Sequence, residues 1–135
     1  MTIPETAFTV RFTAVADDID ELGHVNNAVW VRWVQDTSTS HWYARASEAE
    51  QATTFWVVVR HEIDYRRPLL EGESVTAFTW VAEEARGATF DRHIRFIGDD
   101  GTLHVSAKTT WAMLDRASGR PLRVRKELVE RFRAG

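Results

Sequence analysis

From Phe8 to Val15 the side chains alternate, with Phe8, Val10, Phe12 and Ala14 on one side and Thr9, Arg11 and Thr13 on the other. This alternation predicts a half-buried strand. It ends in the acidic cluster Asp17-Asp18-Ile19-Asp20. From Ala28 to about Arg45 the period changes: Val29, Trp30, Trp33, Val34, Ser38, His41 and Trp42 recur at intervals of three and four, the spacing of a helix face. Asn26 or Asn27 supplies a cap at its start. Ala28 to Val34 is apolar nearly all round, so this helix is expected to be buried on several sides.

Beyond the helix the period falls to two. Phe55 to Tyr65, Ser74 to Ala85, Ala88 to Ile97 and Thr102 to Leu114 are rich in Val, Thr, Phe and Trp and predict four strands. Gly98-Asp99-Asp100-Gly101 marks a hairpin between the last two, and Arg86-Gly87 a weaker turn. In the last strand Leu103, Val105, Ala107, Thr109, Trp111 and Met113 share the face expected to cover the helix. Arg66-Arg67-Pro68 with Gly72, and later Gly119-Arg120-Pro121, interrupt the pattern. Lys126 to Arg133 fits a short terminal helix. One strand, one long buried helix and four consecutive strands make an α+β arrangement, with a five-stranded antiparallel sheet on one helix. Such a sheet leaves two edges and a second face, so at least a homodimer is expected. The length of 135 residues fits a single domain over 1–135.

Composition narrows the chemistry. With no cysteine, disulfides, thiolate zinc sites, iron–sulfur clusters and a cysteine nucleophile are all excluded. The net charge of −3 argues against general nucleic-acid binding, for which a basic surface is expected. From Asp115 onward, however, seven basic residues face three acidic ones, so the tail carries +4 and the remainder −7. Met1-Thr2-Ile3-Pro4-Glu5 has neither a basic start nor an apolar run, and no segment is apolar for long enough to cross a membrane. A cytoplasmic protein without membrane contact is therefore expected. Six tryptophans against two tyrosines is an unusual ratio, since each indole brings a large apolar area and an N–H that needs a partner.

Asp20-Glu21-Leu22-Gly23-His24-Val25-Asn26-Asn27 lies between the first strand and the helix. It sets a carboxylate, a flexible glycine, a histidine and two amides directly before a helix N-terminus. Free N–H groups there carry partial positive charge and suit an anion or a polarised carbonyl oxygen. A nearby carboxylate can attack the carbonyl carbon or activate water. These are the parts for acyl transfer. The plain alternative is a loop with a turn glycine and an Asn cap, which composition alone favours.

These residues resemble a known family. Asp-x-x-Gly-His-Val-Asn-Asn before an aromatic-rich helix is similar to the hotdog-fold acyl-CoA thioesterases of the 4-hydroxybenzoyl-CoA thioesterase type. The resemblance continues through Ile63-Asp64-Tyr65-Arg66-Arg67-Pro68-Leu69-Leu70-Glu71-Gly72-Glu73 to Trp111-Ala112-Met113-Leu114-Asp115 and Gly119-Arg120-Pro121, covering about residues 8 to 125. It implies a hotdog fold, the sheet wrapped around one long central helix, and hydrolysis of an acyl-CoA to acid and CoA. It further implies Asp20 as the catalytic carboxylate, the Asn27 N–H as the donor to the carbonyl oxygen, and His24 and Asn26 as residues shaping the site. No cofactor is implied, coenzyme A being part of the substrate, and the assembly is a homodimer or a tetramer of dimers. One departure is the longer spacing between Val10-Arg11-Phe12 and Asp20. A bulge or strand extension would absorb it; otherwise Asp17 or Asp18 competes for the catalytic role.

Other candidates carry plainer readings. His61-Glu62-Ile63-Asp64-Tyr65 begins like a zinc-protease helix but lacks the second His and falls on a predicted strand, so no metal site is expected. His93 and His104 are read as a solvated cross-strand cluster near Arg95, and His41 as a packing residue. Trp30 and Trp33 are either core or the lining of an acyl pocket, while the other tryptophans read mainly as packing. Gln35 and Asp36 form a second polar pair on the helix, ranked below Asp20. Arg66, Arg67, Arg123 and Arg125 are candidates for the phosphates of CoA. The rival functions are a non-catalytic module that binds acyl-CoA or acyl thioesters and an acyl-thioester dehydratase on the same fold; the residues after His24 fit the latter poorly.

Overall fold

Alternating residues build one sheet and the three-to-four period one long helix in the computed structural model, which describes residues 2–135. In chain order come β1 (Phe8–Thr13), α1 (Asn27–Arg45), α2 (Glu48–Thr53), β2 (Thr54–Tyr65), β3 (Ser74–Val81), β4 (Thr89–Gly98), β5 (Leu103–Asp115) and α3 (Lys126–Arg133). The sheet order is β1-β3-β4-β5-β2 and every neighbouring pair is antiparallel. Hairpins join β3, β4 and β5. At Gly98-Asp99-Asp100-Gly101 the Gly98 N–H reaches the Thr102 carbonyl at 2.8 Å and Gly101 takes φ +87, a conformation that favours glycine. β1 and β2 are the two edges, and Val57 and Val59 on β2 are exposed.

Val75 and Ala77 of β3, Ile94 and Phe96 of β4, and Val105 and Ala107 of β5 turn inward onto Val29, Trp30, Trp33 and Val34 of α1. Burying a side chain the size of Phe96 contributes about 1.5–3 kcal/mol, so this face holds the sheet curled on the helix. A second cluster, Val81, Phe90 and Met113 with Val124, Leu128, Val129 and Phe132, packs α3 over the other end. The helix expected to be wrapped by the sheet is thus wrapped, and α3 lies where the terminal helix is expected.

Three details differ from the sequence expectation. β3 stops at Val81 rather than Ala85, because Ala82–Ala85 opens into a loop before the Gly87 turn (φ +61). α2 is an additional element, started by a capping box in which Glu50 N–H donates to Ser47 Oγ (3.1 Å) and Ser47 N–H to Glu50 Oε1 (2.8 Å). His104 does not join His93 in a solvated cluster. The register shift between Phe96 and Ile97 accompanies consecutive buried residues, His104 and Val105, and His104 lies stacked 6.4 Å from Trp30 with Nδ1 3.2 Å from the Arg67 carbonyl. His93 does lie on the outer face, stacked on Trp80 at 5.5 Å beside Lys108.

Candidate active site

The spacing between β1 and Asp20 is taken up by neither a bulge nor a longer strand. β1 ends at Thr13, and Ala16–Asp18 forms a 3₁₀ turn. Asp18 is buried there: its Oδ2 accepts the Val15 N–H at 3.0 Å and its Oδ1 pairs with Arg32 at 3.0 Å. That carboxylate is engaged in holding the turn to α1, while Asp17 is exposed. Ile19 then bridges to Val25, and between them Asp20 N–H donates to the His24 carbonyl (2.8 Å) and Gly23 N–H to the Asp20 carbonyl (3.0 Å). Gly23, at φ +83, makes this tight return possible.

Asp20 sits half-buried in that loop. Its Oδ1 accepts the Leu22 N–H at 2.9 Å and the His24 N–H at 3.5 Å, fixing the carboxylate plane, and its Oδ2 has no donor among the described residues. Asn26 caps α1: its Oδ1 accepts the Ala28 N–H at 2.8 Å and its carbonyl the Val29 N–H at 2.9 Å. The Asn27 N–H, in the first turn, has no acceptor among the described residues, and Asn27 is exposed. Tyr65 at the end of β2 donates its hydroxyl to the Asn27 carbonyl at 3.4 Å, and burial pushes this phenol above its ordinary pKa. The loop therefore offers a free carboxylate oxygen, and the helix start a free N–H at its positive end. Such a pair can polarise a carbonyl and deliver a nucleophile or a base.

His24 is half-buried, and its ring makes no hydrogen bond among the described residues. Arg66 and Arg67 follow Tyr65 and are exposed, their N–H groups bound to the His104 carbonyl at 2.9 and 3.1 Å. Arg123 and Arg125 are also exposed but flank Val124, which bonds to Gly87 at the α3 end of the molecule. Trp30 and Trp33 are core residues here: they meet edge-on at 5.1 Å, Trp30 against Phe96 and Trp33 stacked on Phe12. Asp36 and Gln35 are exposed on α1. Among the described residues no three His, Asp or Glu side chains gather as a metal ion requires.

The cavity that pattern reading missed lies elsewhere, against the C-terminal half of α1. It measures about 180 Å³, and its walls include Trp42, Trp56, Phe90, Trp111 and Phe132 with Arg92. Three of the six tryptophans meet there although they are 14 to 69 residues apart in the chain. The available signal was Arg92, which falls at an inward position of the Phe90, Ile94, Phe96 alternation.

Residues 14–132 match the model of the thioesterase-like superfamily. No curated protein matches the chain. Among solved structures it is similar to a thioesterase complexed with coenzyme A and zinc from Thermus thermophilus, at 26% identity over 96% of this chain and 93% of that one, TM-score 0.80. A probable thioesterase from Escherichia coli aligns at 20% identity over 93% and 96%, TM-score 0.78. One from Bartonella henselae aligns at 21% identity over 88% and 98%, TM-score 0.73. The fold shared with these structures, a five-stranded sheet wrapped around a helix, is the hotdog fold.

Proposed function

Because the chain belongs to the thioesterase-like superfamily, we propose that it is an acyl-CoA thioesterase acting at the loop before α1. The observation that carries this reading is the free Asp20 Oδ2 next to an α1 whose first N–H, that of Asn27, is unpaired. The thioester carbonyl accepts the Asn27 N–H, which offsets the negative charge developing on its oxygen. Removing such a donor typically costs on the order of 3 kcal/mol of transition-state stabilisation. Asp20 then acts in one of two ways. Its Oδ2 attacks the carbonyl carbon, expels the CoA thiolate and leaves a mixed anhydride that water opens, or it takes a proton from a water that attacks directly. Both routes consume one water, break the C–S bond and release acid and CoA. The thiolate is a good leaving group, so no strong general acid is needed.

Coenzyme A is then part of the substrate, and no resident cofactor enters the scheme. Arg66 and Arg67, exposed beside Tyr65, are the cations of this chain best sited for its phosphates. Arg123 and Arg125, at the α3 end, serve the Asp20 loop only from a second copy. A homodimer is supported by the β2 edge, where Val57 and Val59 offer exposed apolar area on a strand paired on one side only. Among the described residues no helix is long and apolar enough to cross a membrane.

A panel of acyl-CoA substrates read by thiol release tests the assignment. The wild type releases CoA and Asp20→Asn does not. Tight acyl-CoA binding without thiol release by the wild type would instead establish the non-catalytic binding module, and undiminished turnover by Asp20→Asn would overturn the mechanism.

A further inference from the structure

We propose that the cavity against the C-terminal half of α1 is a second binding site, taking a one-ring carboxylic acid with its carboxylate on Arg92. Arg92 projects inward from β4 and is only 7% exposed, yet no acidic side chain among the described residues pairs with it. Its Nη1 donates to Thr79 Oγ1 at 2.8 Å and to His41 Nδ1 at 3.0 Å, both neutral partners. Its Nε and Nη2 have no acceptor among the described residues. The adjacent Asp91 is engaged in a two-bond ion pair with Arg86 (2.8 and 3.2 Å) and accepts from Thr110 at 2.7 Å.

A buried cation without a counter-ion is costly, and buried charges are normally paired. Burial alone lowers the Arg92 pKa to about 10, which leaves the group charged at neutral pH. Trp56 lines the same cavity with its ring, while its Nε1–H is buried away from the space and has no acceptor among the described residues. The free donors of Arg92 thus border a space that an acceptor-only anion can fill.

The walls decide which anion. Trp42 stacks on Phe132 at 5.6 Å and meets Trp56 edge-on at 5.7 Å, with Phe90 and Trp111 completing an aromatic lining that inorganic phosphate would not fill. The volume of about 180 Å³ exceeds the ~150 Å³ that holds benzene, leaving room for one ring and a carboxylate. A guanidinium binds a carboxylate through two parallel N–H bonds, and Arg92 has the free donors to do so. The site does not rest on the reaction proposed at Asp20: Thr39 in its wall lies about 18 Å along α1 from Asn27.

Titration of the full chain with benzoate, followed by intrinsic tryptophan fluorescence, tests this. Benzoate is expected to bind saturably and perturb the emission, and benzamide, the same shape without the charge, to bind at least about tenfold more weakly, the 1.4 kcal/mol of one lost charged contact. In Arg92→Gln the preference for acid over amide disappears. Thr39→Trp, on the exposed side of the wall, fills the mouth and loses benzoate binding with the fold intact, so the conclusion survives if Arg92→Gln does not fold. Absence of saturable benzoate binding, equal affinity for benzamide in the wild type, or competition by inorganic phosphate at equal strength would overturn the proposal.

Discussion

The two ends of α1 carry opposite kinds of site. At its N-terminus Asp20, Gly23, Asn26 and Asn27 lie within eight consecutive residues, half-buried or exposed, and their geometry is made by hydrogen bonds between near neighbours. At its C-terminal half, Trp42, Trp56, Arg92, Trp111 and Phe132 come from α1, β2, β4, β5 and α3 and enclose a cavity through packing. The first arrangement presents reactive atoms and little binding surface. The second presents surface and a buried charge, and its Ser38, Thr39 and Thr54 hydroxyls are tied to backbone carbonyls. Chemistry at one end and recognition at the other is a division that single substitutions can break apart.

The largest effect is expected from Asp20→Asn. The amide keeps an Oδ1 that accepts the Leu22 N–H, so the loop holds its shape while the reactive oxygen is lost. Turnover of an acyl-CoA should fall by about 10²–10⁴-fold, the range for loss of a positioned base. Benzoate binding at the distant cavity should be unchanged. Were the variant to lose both, the two ends would form one site and the division would be wrong.

A second test concerns the charge at the cavity end. The Arg92 guanidinium can only donate, so His41 accepts at Nδ1 as a neutral ring with its proton on Nε2. Burial, then the charges of Arg92 and Arg45, push the His41 pKa down to about 3 from 6.5. The folded state therefore refuses a proton that the unfolded chain accepts, and stability is complete above pH 6.5 and declines as pH falls towards 3. The slope is about 1.4 kcal/mol per pH unit for one proton. His61 and His93, also lowered by burial, add in the same direction, whereas the lowered carboxylates Glu50 and Asp91 act at lower pH. Urea unfolding at pH 6.5 and pH 5 should show His41→Gln with a slope shallower than wild type by close to one proton. Equal slopes would mean that the ring is not held neutral by its surroundings.

The same contrast explains what could be read from the chain. β2, β4 and β5 were legible to within one or two residues because an alternating run such as Val105, Ala107, Thr109 has only one face to bury. The Asp20–Asn27 segment was legible because its parts are adjacent. α2 was not: Glu-Ala-Glu-Gln-Ala-Thr buries no residue and shows no apolar period, although Ser47 and Glu50 spell its cap. The cavity was not legible because contacts between residues such as Trp42 and Trp56, or Arg92 and His41, follow from sheet order and curvature. Trp30 and Trp33 stand next to the loop in the chain, yet they are packed as core, and Trp42, Trp56 and Trp111 farther along the chain line space.

A smaller effect isolates the local end. Asn26→Ala removes the bond from the Ala28 N–H and should cost about 1 kcal/mol of stability, with Asn26→Ser recovering most of it. Thiol release should fall along with stability, because the same cap aims the Asn27 N–H. Benzoate affinity should not move.

The smallest effect is expected at Ser47, and it bears on how far packing insulates the cavity from the local structure that leads into it. Ser47→Ala breaks one half of the capping box of α2, the helix that delivers Thr54 to the cavity wall. An exposed cap of this kind is worth about 0.5–1 kcal/mol. Glu50, the other half, is also fixed by a two-bond ion pair with Arg131 of α3, and Thr54 bonds back to the Glu50 carbonyl. With those contacts intact the wall should stay in place, so thermal unfolding should shift slightly while benzoate affinity and thiol release stay at wild-type values. A loss of benzoate binding in Ser47→Ala would show that the cavity is held open by a six-residue helix rather than by the packing of β4, β5 and α3 around it.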